Sequence, residues 1–229
     1  MKDKIKYVAE NILNLPKVTI TLSGKGSQEV YSHFSKKHPR LFFIKNKEWG
    51  VGLMKLPDSK ELYLAGKEKQ ALRTNRSRCI KQGFTFSYMS PLKYIDEILE
   101  VNKSADQRQG QELSKEYLDK TLLVNYFKDK NNVAGVFNKE GKLKAYAHIL
   151  SLGEVSIFSR LMGHEEELKN GIMYFLISEA VDSLIDEKNK SGFPLWAMYD
   201  TFFGASGGLR YFKERLGFSP HKVSWKWQQ

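Results

Sequence analysis

The chain has 229 residues, and its 37 basic and 26 acidic side chains give a formal net charge of +11. Hydrophobic residues make up 41% of it and aromatic residues 13%, which excludes a disordered chain, and no apolar run approaches the roughly 18 residues of a membrane-spanning helix. The single cysteine, Cys79, excludes an intrachain disulfide and a cysteine-rich zinc site. We therefore expect a folded cytoplasmic protein with no membrane span and no metal.

The excess of positive charge lies in the first third of the chain. Residues 1–81 contain 18 Lys or Arg against 7 Asp or Glu, whereas residues 82–229 contain 19 of each. This asymmetry favours an anionic partner for residues 1–81, such as tRNA, another nucleic acid, a phosphate-bearing ligand or an anionic membrane surface. It also predicts a division into a basic N-terminal region, residues 1–82, and a second domain, residues 83–229.

The first third is predicted to be rich in short strands and turns. Apolar patterning predicts strands at residues 18–22, 41–44, 49–56 and 61–64. A helix is predicted at residues 67–81, with Gly83 as its stop. This helix is basic, which suits contacts with nucleic-acid phosphates, although such a run is often only a solvated surface. Its candidate phosphate ligands are Lys67, Lys69, Arg73, Arg76, Arg78 and Lys81.

From residue 84 onward, strand and helix patterns alternate. Further strands are predicted at residues 84–88, 133–138, 143–150, 155–162, 195–199 and 223–227. Helices are predicted at residues 90–102, 114–127, 167–187 and 207–216. Strands and helices in this mixed order predict an α/β fold, with one twisted sheet and helices on both of its faces.

The order of these elements is similar to that of the GNAT acyltransferase superfamily over residues 84–229, and the segment LRYFKERLGF at residues 209–218 resembles the end of that fold. Its Phe212-Lys213 pair resembles the Fem-type branch, the aminoacyl-tRNA-dependent transferases. The resemblance implies a GNAT-like twisted mixed sheet. It also implies transfer of an acyl or aminoacyl group from an activated ester or thioester to a primary amine. The alternative is a non-enzymatic module that binds tRNA or another nucleic acid on the same fold.

The resemblance places the donor at the third strand of the GNAT-like region and at the junction after it. Backbone amides of the strand would bind the oxyanion, and those of the junction would hold a pyrophosphate. Three successive acids, Glu165–Glu167, would repel a pyrophosphate, so the co-substrate stays open between acyl-CoA and aminoacyl-tRNA. The residues concerned are Phe158, Ser159, Arg160, Leu161 and Met162 on the strand, and Lys169, Asn170 and Gly171 at the junction.

Three side chains are candidates for the chemistry. The resemblance implies that Lys213 stabilises negative charge at the leaving group, while a lysine that only complements a helix dipole is the alternative. Asp200 and Tyr199 end a predicted strand, where ligands sit in open α/β sheets. Asp200 is therefore a candidate general base or ammonium anchor, with capping of its own loop as the alternative.

Other candidates for substrate binding are scattered along the second half of the chain. They lie in a polar loop, on one strand, near the start of the long helix and in a glycine-rich loop. A solvated loop arginine, residues at the margin of the core and charge compensation at a helix end are the alternatives. These candidates are Arg108, Gln109, Tyr146, His148, His164 and Gly204.

Overall fold

The computed structural model describes residues 14–39, 44–105, 112–203 and 205–229, with residues 107–108 and 111 described by their backbone alone. The strands are β1 (Lys17–Leu22), β2 (Trp49–Lys55), β3 (Thr85–Met89), β4 (Gln107–Arg108), β5 (Gln111–Glu112), β6 (Val133–Phe137), β7 (Leu143–Leu152), β8 (Val155–Gly163), β9 (Trp196–Thr201) and β10 (Ser219–Trp227). The α-helices are α1 (Ser27–Ser35), α2 (Lys60–Leu64), α3 (Gln70–Lys81), α4 (Ile95–Lys103), α5 (Lys115–Leu118), α6 (Lys120–Phe127), α7 (Glu165–Leu168), α8 (Ile172–Ser191) and α9 (Gly207–Leu216). Short 3₁₀ turns lie at Lys67–Lys69 and Pro91–Tyr94.

The chain divides into two compact units. Unit 1 comprises residues 1–56, 151–157 and 186–229, and unit 2 comprises residues 57–150 and 158–185. These units are defined by contacts between residues, whereas the boundary expected at residue 82 was inferred from the distribution of charge. That boundary stays a prediction.

Each unit contains part of a mixed sheet, and β7 and β8 run through both. The strand order is β1-β10-β2-β9-β8 in unit 1 and β8-β7-β6-β3 in unit 2. Parallel pairing joins β1 to β10 and β8 to β9, whereas β10–β2, β2–β9, β6–β7 and β3–β6 are antiparallel. The predicted mixed α/β fold is therefore confirmed.

In unit 1, the central strand β2 is buried along most of its length, and two of its residues are glycines. A Cβ on Gly52 would lie 2.7 Å from the backbone oxygen of Tyr199, and a Cβ on Gly50 would lie 2.1 Å from the ring of Phe203. Gly50 also has φ +68°, which favours glycine. The missing side chains let β9 and the residues after it pack closely on β2, and this fixes the end of β9.

In unit 2, helices α4 and α6 pack on β6 and β7 through a cluster that includes Ile98, Leu123 and Tyr146. The polar groups in this core are paired. The Tyr146 hydroxyl donates to Asn102 Oδ1 at 2.7 Å, and Asn102 Nδ2 donates to the backbone oxygen of Tyr117 at 2.7 Å. Burial therefore leaves these groups with hydrogen bonds in place of water, and the chain around Tyr117 is fixed to the core.

Two predicted elements differ from the structure, and one helix was not predicted. Residues 61–64 are not a strand but part of α2, because the Ser59 side chain accepts from Leu62 N at 3.3 Å and caps a helix. Residues 27–35 form α1, which the sequence analysis did not predict. The long helix predicted at residues 167–187 is interrupted, since Gly171 has φ +83° between α7 and α8.

Two smaller differences concern the remaining predictions. The helix predicted at residues 114–127 is divided at Asp119, whose carboxylate accepts from Leu122 N at 3.0 Å and starts α6. Of the strand predicted at residues 41–44, residues 41–43 lie outside the described residues.

Within the part of the chain that the structure describes, no helix has the length and apolar character needed to cross a bilayer.

Candidate functional site

Lys213 in unit 1 is a buried lysine with defined partners. It lies on α9, which begins at the Ser206 cap and ends at Gly217 in the left-handed conformation. The side chain is 1% exposed, and its Nζ donates to the backbone oxygen of Thr201 at 2.8 Å. Nζ also lies 4.6 Å from the ring centroid of Tyr199 and 5.7 Å from that of Phe202. The end of β9 therefore encloses the Lys213 ammonium group.

Burial lowers the pKa of Lys213 to about 8, since the charged form loses hydration. The carboxylate of Asp200 opposes this change and the cation of Lys47 adds to it, both with smaller effects. Lys213 is still mainly protonated at neutral pH. A desolvated cation fixed by a carbonyl and aromatic rings is suited to stabilise negative charge that develops during a reaction.

Asp200 immediately precedes Thr201, the residue whose carbonyl binds Lys213, but its side chain has a different environment. Its carboxylate is 60% exposed and forms an ion pair with Lys47. Its backbone has φ +47°, an uncommon conformation for a non-glycine residue. Sequence reasoning missed Lys47, because nothing in its local pattern distinguishes it from other surface lysines.

A second cluster in unit 2 centres on Arg160 of β8. Arg160 is 6% exposed, and its guanidinium carbon lies 3.8 Å from the ring centroid of Tyr126 and 4.1 Å from that of Tyr117. Its Nη1 donates to the backbone oxygen of Glu116 at a long 3.4 Å. Among the described residues, no carboxylate forms an ion pair with Arg160. Only the backbone amide of Arg160 was a candidate, and this role of its side chain was not predicted.

His148 and Ser159 join the Arg160 cluster through Tyr126. His148 Nδ1 lies 2.7 Å from Ser159 Oγ and 2.8 Å from the Tyr126 hydroxyl. Burial, followed by the positive charges of Lys130 and Arg160, lowers the pKa of His148 to about 4. His148 is therefore neutral at physiological pH, and its ring nitrogen adds no charge to the cluster.

The other predicted residues of β7 and β8 belong to the core. Tyr146 is fully buried and its hydroxyl is bonded to Asn102, which favours the alternative that it is a core residue. Phe158, Leu161 and Met162 are also buried. Their backbone amides as oxyanion donors stay a prediction.

The junction between α7 and α8 packs against α3. Arg78 donates to the backbone oxygen of Lys169 at 3.3 Å, and Cys79 Sγ donates to that of Asn170 at 3.6 Å. A Cβ on Gly171 would lie 2.3 Å from Asn75 Oδ1. Helix α3 therefore lies against the segment where the resemblance would place a CoA pyrophosphate.

The remaining substrate candidates have less defined environments. His164 donates through its backbone to the Lys144 oxygen at 2.8 Å, and its Nδ1 lies 3.8 Å from the Glu166 carboxylate. The acids Glu165–Glu167 that follow it lie in the first turn of α7, which favours the alternative of charge compensation at a helix end. Gln109 and Gly204 lie outside the described residues, and Arg108 is described only as backbone of β4.

The basic helix α3 uses some of its cations for structure. Arg76 forms an ion pair with Glu179 at 2.6 Å, and Arg73 donates to the backbone oxygens of Leu64 and Gly66 at 2.5 and 2.7 Å. Lys69, in the turn before α3, is buried above the Tyr63 ring at 5.1 Å. Burial lowers its pKa to about 8. These contacts favour a structural role for Arg76 and Lys69.

The surface of α3 and of the residue after it borders an open groove of about 570 Å³. Its lining contains three cations and two hydroxyl groups but no acid, a composition suited to phosphate groups. The hydroxyls were not predicted, although Thr74, Ser77 and Lys81 recur at helical spacing and could have been found from it. The lining residues are Arg73, Thr74, Ser77, Arg78, Lys81 and Gln82.

A known family matches the central part of the sequence. The profile described as phosphatidylglycerol lysyltransferase, C-terminal, matches residues 55–191, which is more than half of the chain. This chain belongs to that family. The match includes the α3 groove and the Arg160 cluster, whereas Lys213 lies after it. No curated protein sequence matches the chain at a significant level.

Solved structures of this phosphatidylglycerol lysyltransferase C-terminal family and of related transferases share the fold. The C-terminal domain of a protein assigned as a lysylphosphatidylglycerol synthetase from Agrobacterium fabrum is 16% identical, with a TM-score of 0.51 over 76% of this chain. FemX is 10% identical, with a TM-score of 0.58 over 75% of this chain. A GCN5-related glucosamine N-acetyltransferase region of a fungal multi-domain β-N-acetylglucosaminidase is 12% identical, with a TM-score of 0.50 over 87%. The predicted GNAT-like fold with Fem-type similarity is confirmed.

The matches also differ from this chain in extent. The chain spans 58% of the Agrobacterium fabrum domain, 59% of FemX and 23% of the fungal protein. At these sequence identities the likeness shows a shared fold. Within the described residues, no group of three or more His, Cys, Asp or Glu side chains is arranged to hold a metal ion.

Proposed function

We propose that this chain is an aminoacyltransferase that moves an aminoacyl group from aminoacyl-tRNA to a nucleophilic acceptor. The observation that carries the proposal is Lys213, a buried, mainly protonated lysine whose Nζ is held by the Thr201 oxygen and by the ring of Tyr199. Membership of a lysyltransferase family supports the same reaction class. Because function does not follow from the fold alone, the proposal rests mainly on the residues of this site.

In this reaction the acceptor nucleophile attacks the ester carbonyl that links the amino acid to the ribose of tRNA. A new bond forms between the acceptor and the carbonyl carbon, and the ester C–O bond breaks. The ribose oxygen leaves with the electron pair and finally takes up the proton that the acceptor loses. The Lys213 cation stabilises the negative charge on that oxygen, and its pKa of about 8 also permits it to donate a proton.

Two features of α3 support aminoacyl-tRNA as the donor rather than acyl-CoA. The side chains of Asn75, Arg78 and Cys79 contact the junction at Lys169–Gly171, where a CoA pyrophosphate would be held. The groove along α3 offers cations and hydroxyls without an acid, as a phosphate backbone requires. We therefore infer that the groove binds tRNA phosphates.

The acceptor has two chemical candidates. The family description names phosphatidylglycerol, which offers a hydroxyl nucleophile, while the sequence analysis expects a primary amine. Either group attacks the same ester carbonyl. Asp200 is proposed to anchor the ammonium group of the amino acid, since its carboxylate is exposed even though it pairs with Lys47. The cytoplasmic location and the anionic partner of residues 1–81 also stay predictions.

The test compares donors with the purified chain. Radiolabelled aminoacyl-tRNA and radiolabelled acetyl-CoA are each incubated with phosphatidylglycerol vesicles or with a lysine-containing peptide, and product is separated by chromatography. We expect label to move from aminoacyl-tRNA to one of the two acceptors and not from acetyl-CoA. Transfer from acetyl-CoA alone would contradict the proposed donor.

A binding measurement separates the enzyme from the non-enzymatic alternative. Phosphate contacts in the groove predict that tRNA affinity falls steeply with salt, and that Arg78→Ala or Lys81→Ala lowers the salt slope by about 1 each. Lys93→Ala, an exposed cation in the 3₁₀ turn before α4, is the control. If tRNA binds in this way but no aminoacyl group moves to either acceptor, the chain is a binding module and the transferase proposal is wrong.

A further inference from the structure

Arg160 is a buried charge whose counter-charge is missing from the residues that the structure describes. Removing a guanidinium group from water is costly unless it is paired and hydrogen-bonded. The rings of Tyr117 and Tyr126 offset part of this cost by cation–π attraction. The remaining cost indicates that the site is completed by something else.

The hydrogen bonds of Arg160 leave most of its donors available. A guanidinium has five N–H groups. Among the described residues, the one acceptor that it reaches is the Glu116 backbone oxygen, at 3.4 Å from Nη1. The aromatic contacts do not use the N–H groups as donors to oxygen. Arg160 can therefore still offer the planar fork of N–H groups that matches two oxygens of one anion.

The surroundings of the fork are positive. Lys130 lies over the ring of Tyr126 at 5.9 Å and, with Arg160, lowers the pKa of His148. His148 is neutral and is held by the hydroxyls of Ser159 and Tyr126. An ammonium group would be repelled here, whereas an oxyanion would be attracted.

We propose that the side chain of Arg160 is the centre of an anion-binding subsite that takes a phosphodiester or carboxylate group of the acceptor. Only one part of this proposal rests on the proposed function, namely that the bound anion belongs to the acceptor. Ser159, which is exposed, places its hydroxyl 3.4 Å from that of Tyr126, whose ring packs on Arg160. The alternative is that Arg160 only supports Tyr117 and Tyr126 in the core, and this alternative predicts no response to anions.

The test measures binding of two small anions to the isolated chain without tRNA. Dimethyl phosphate and acetate are titrated by calorimetry and by the rise in melting temperature that a ligand of the folded state produces. We expect Arg160→Lys to weaken the binding about tenfold, because lysine keeps the charge but loses the fork, and Arg160→Gln to abolish it. Lys93→Gln removes an exposed cation from the same unit and should leave the affinity unchanged.

Each outcome has a defined meaning. Preference for dimethyl phosphate identifies a phosphodiester ligand, and preference for acetate identifies a carboxylate. If neither anion binds the unmodified chain, or if both bind the Arg160→Gln variant equally well, the proposal is wrong. Circular dichroism checks whether Arg160→Gln folds. If it does not, the anion affinities of the unmodified chain and of Arg160→Lys are compared instead, and equal affinities mean that the proposal is wrong.

The experiments test the proposed anion site and the proposed transferase activity separately, so either proposal can be wrong while the other holds. Anion binding that depends on Arg160, in a chain that transfers no aminoacyl group, would support the subsite and reject the proposed function. In an active enzyme, Arg160→Lys should raise KM for the acceptor about tenfold and leave kcat nearly unchanged, because the anion is bound equally in the ground and transition states. A fall in kcat alone would place Arg160 elsewhere in the reaction and overturn the assignment.

Discussion

Units 1 and 2 each contain a buried cation that packs on aromatic rings and has a backbone carbonyl as hydrogen-bond acceptor. Lys213 contacts Tyr199 and Phe202, with Thr201 as its hydrogen-bond acceptor. Arg160 contacts Tyr117 and Tyr126 and reaches its carbonyl only at 3.4 Å. The two sites are similar in kind, but they contain different cations.

The difference in chemistry assigns the two cations different tasks. Burial lowers the pKa of the lysine to about 8, so Lys213 can gain or lose a proton near physiological pH. An arginine stays charged in proteins, so Arg160 cannot relieve its burial by deprotonation and needs an anion instead. A titratable cation suits a reacting group, whereas a permanent forked cation suits binding.

The largest expected effect comes from removing the unit 1 cation. Lys213→Met should lower kcat of aminoacyl transfer by about 10²–10³-fold, the usual loss when one donor to a developing oxyanion is removed. The folded state should keep its stability, since an apolar side chain of similar length replaces a buried charge. Single-turnover transfer assays and thermal unfolding measure the two quantities.

The pH profile of the unmodified enzyme provides the control for the Lys213 assignment. If the protonated form acts, kcat should fall about tenfold per pH unit above pH 8, where Lys213 loses its proton. Arg210→Met, an exposed cation on the same helix α9, should change neither the rate nor this profile. A Lys213→Met enzyme with normal kcat would show that the buried lysine is structural.

The next effect concerns His148, which lies beside the unit 2 cation. Its pKa is about 4 in the folded chain and 6.5 in the unfolded one, so the unfolded chain binds more protons between these values. The free energy of unfolding should therefore fall by up to about 3 kcal/mol as pH drops from 6.5 to 4. Below pH 4 this contribution is fully lost.

Urea unfolding across this pH range measures the effect. The His148→Gln variant should lose less stability on acidification than the unmodified chain, by up to the same amount of about 3 kcal/mol. His33→Gln, at an exposed position on α1, is the matched control and should retain the original pH dependence. Parallel curves for the unmodified chain and His148→Gln would mean that His148 is accessible to protons in the folded state.

The smallest effect tests how closely α3 covers the junction in unit 2. Gly171→Ala should destabilise the fold by about 2 kcal/mol, because φ is +83° and the new Cβ would lie 2.3 Å from Asn75 Oδ1. Gly141→Ala, with φ +78° and open space around it, should cost only about 1 kcal/mol. Equal losses in thermal unfolding would show that α3 moves away easily, and the argument against a CoA pyrophosphate would weaken.

Local patterns in the sequence predicted most of the elements. The alternation of apolar residues in β1 and their helical spacing in α9 depend on neighbours within a few residues, so both can be recognised from the sequence alone. The helix α2 shows the limit of this approach. Residues 61–64 look like a short strand, but the Ser59 cap makes a helix that exposes 60% of Leu62. A short apolar run does not distinguish the two structures.

The candidate site was predicted only in part. Lys213 was named because of the Phe212-Lys213 pair, and Tyr199 and Asp200 because they end a strand. The side-chain role of Arg160 could not be predicted, since its partners Tyr117 and Tyr126 lie more than 30 residues away in sequence. The same is true of Lys47, which precedes its partner Asp200 by 153 positions.

By itself, the sequence determined most of the strands and helices from residue 84 onward, the charge asymmetry and the resemblance to an acyltransferase fold, because each depends on local composition and spacing. Only the tertiary structure decided which cations are buried, that Asp200 is paired, and that α3 lies against the junction. Burial and pairing depend on residues that are distant in the chain and meet only when it folds. The lowered pKa of Lys213 follows from that burial, and so does the cost of leaving Arg160 without a paired carboxylate among the described residues.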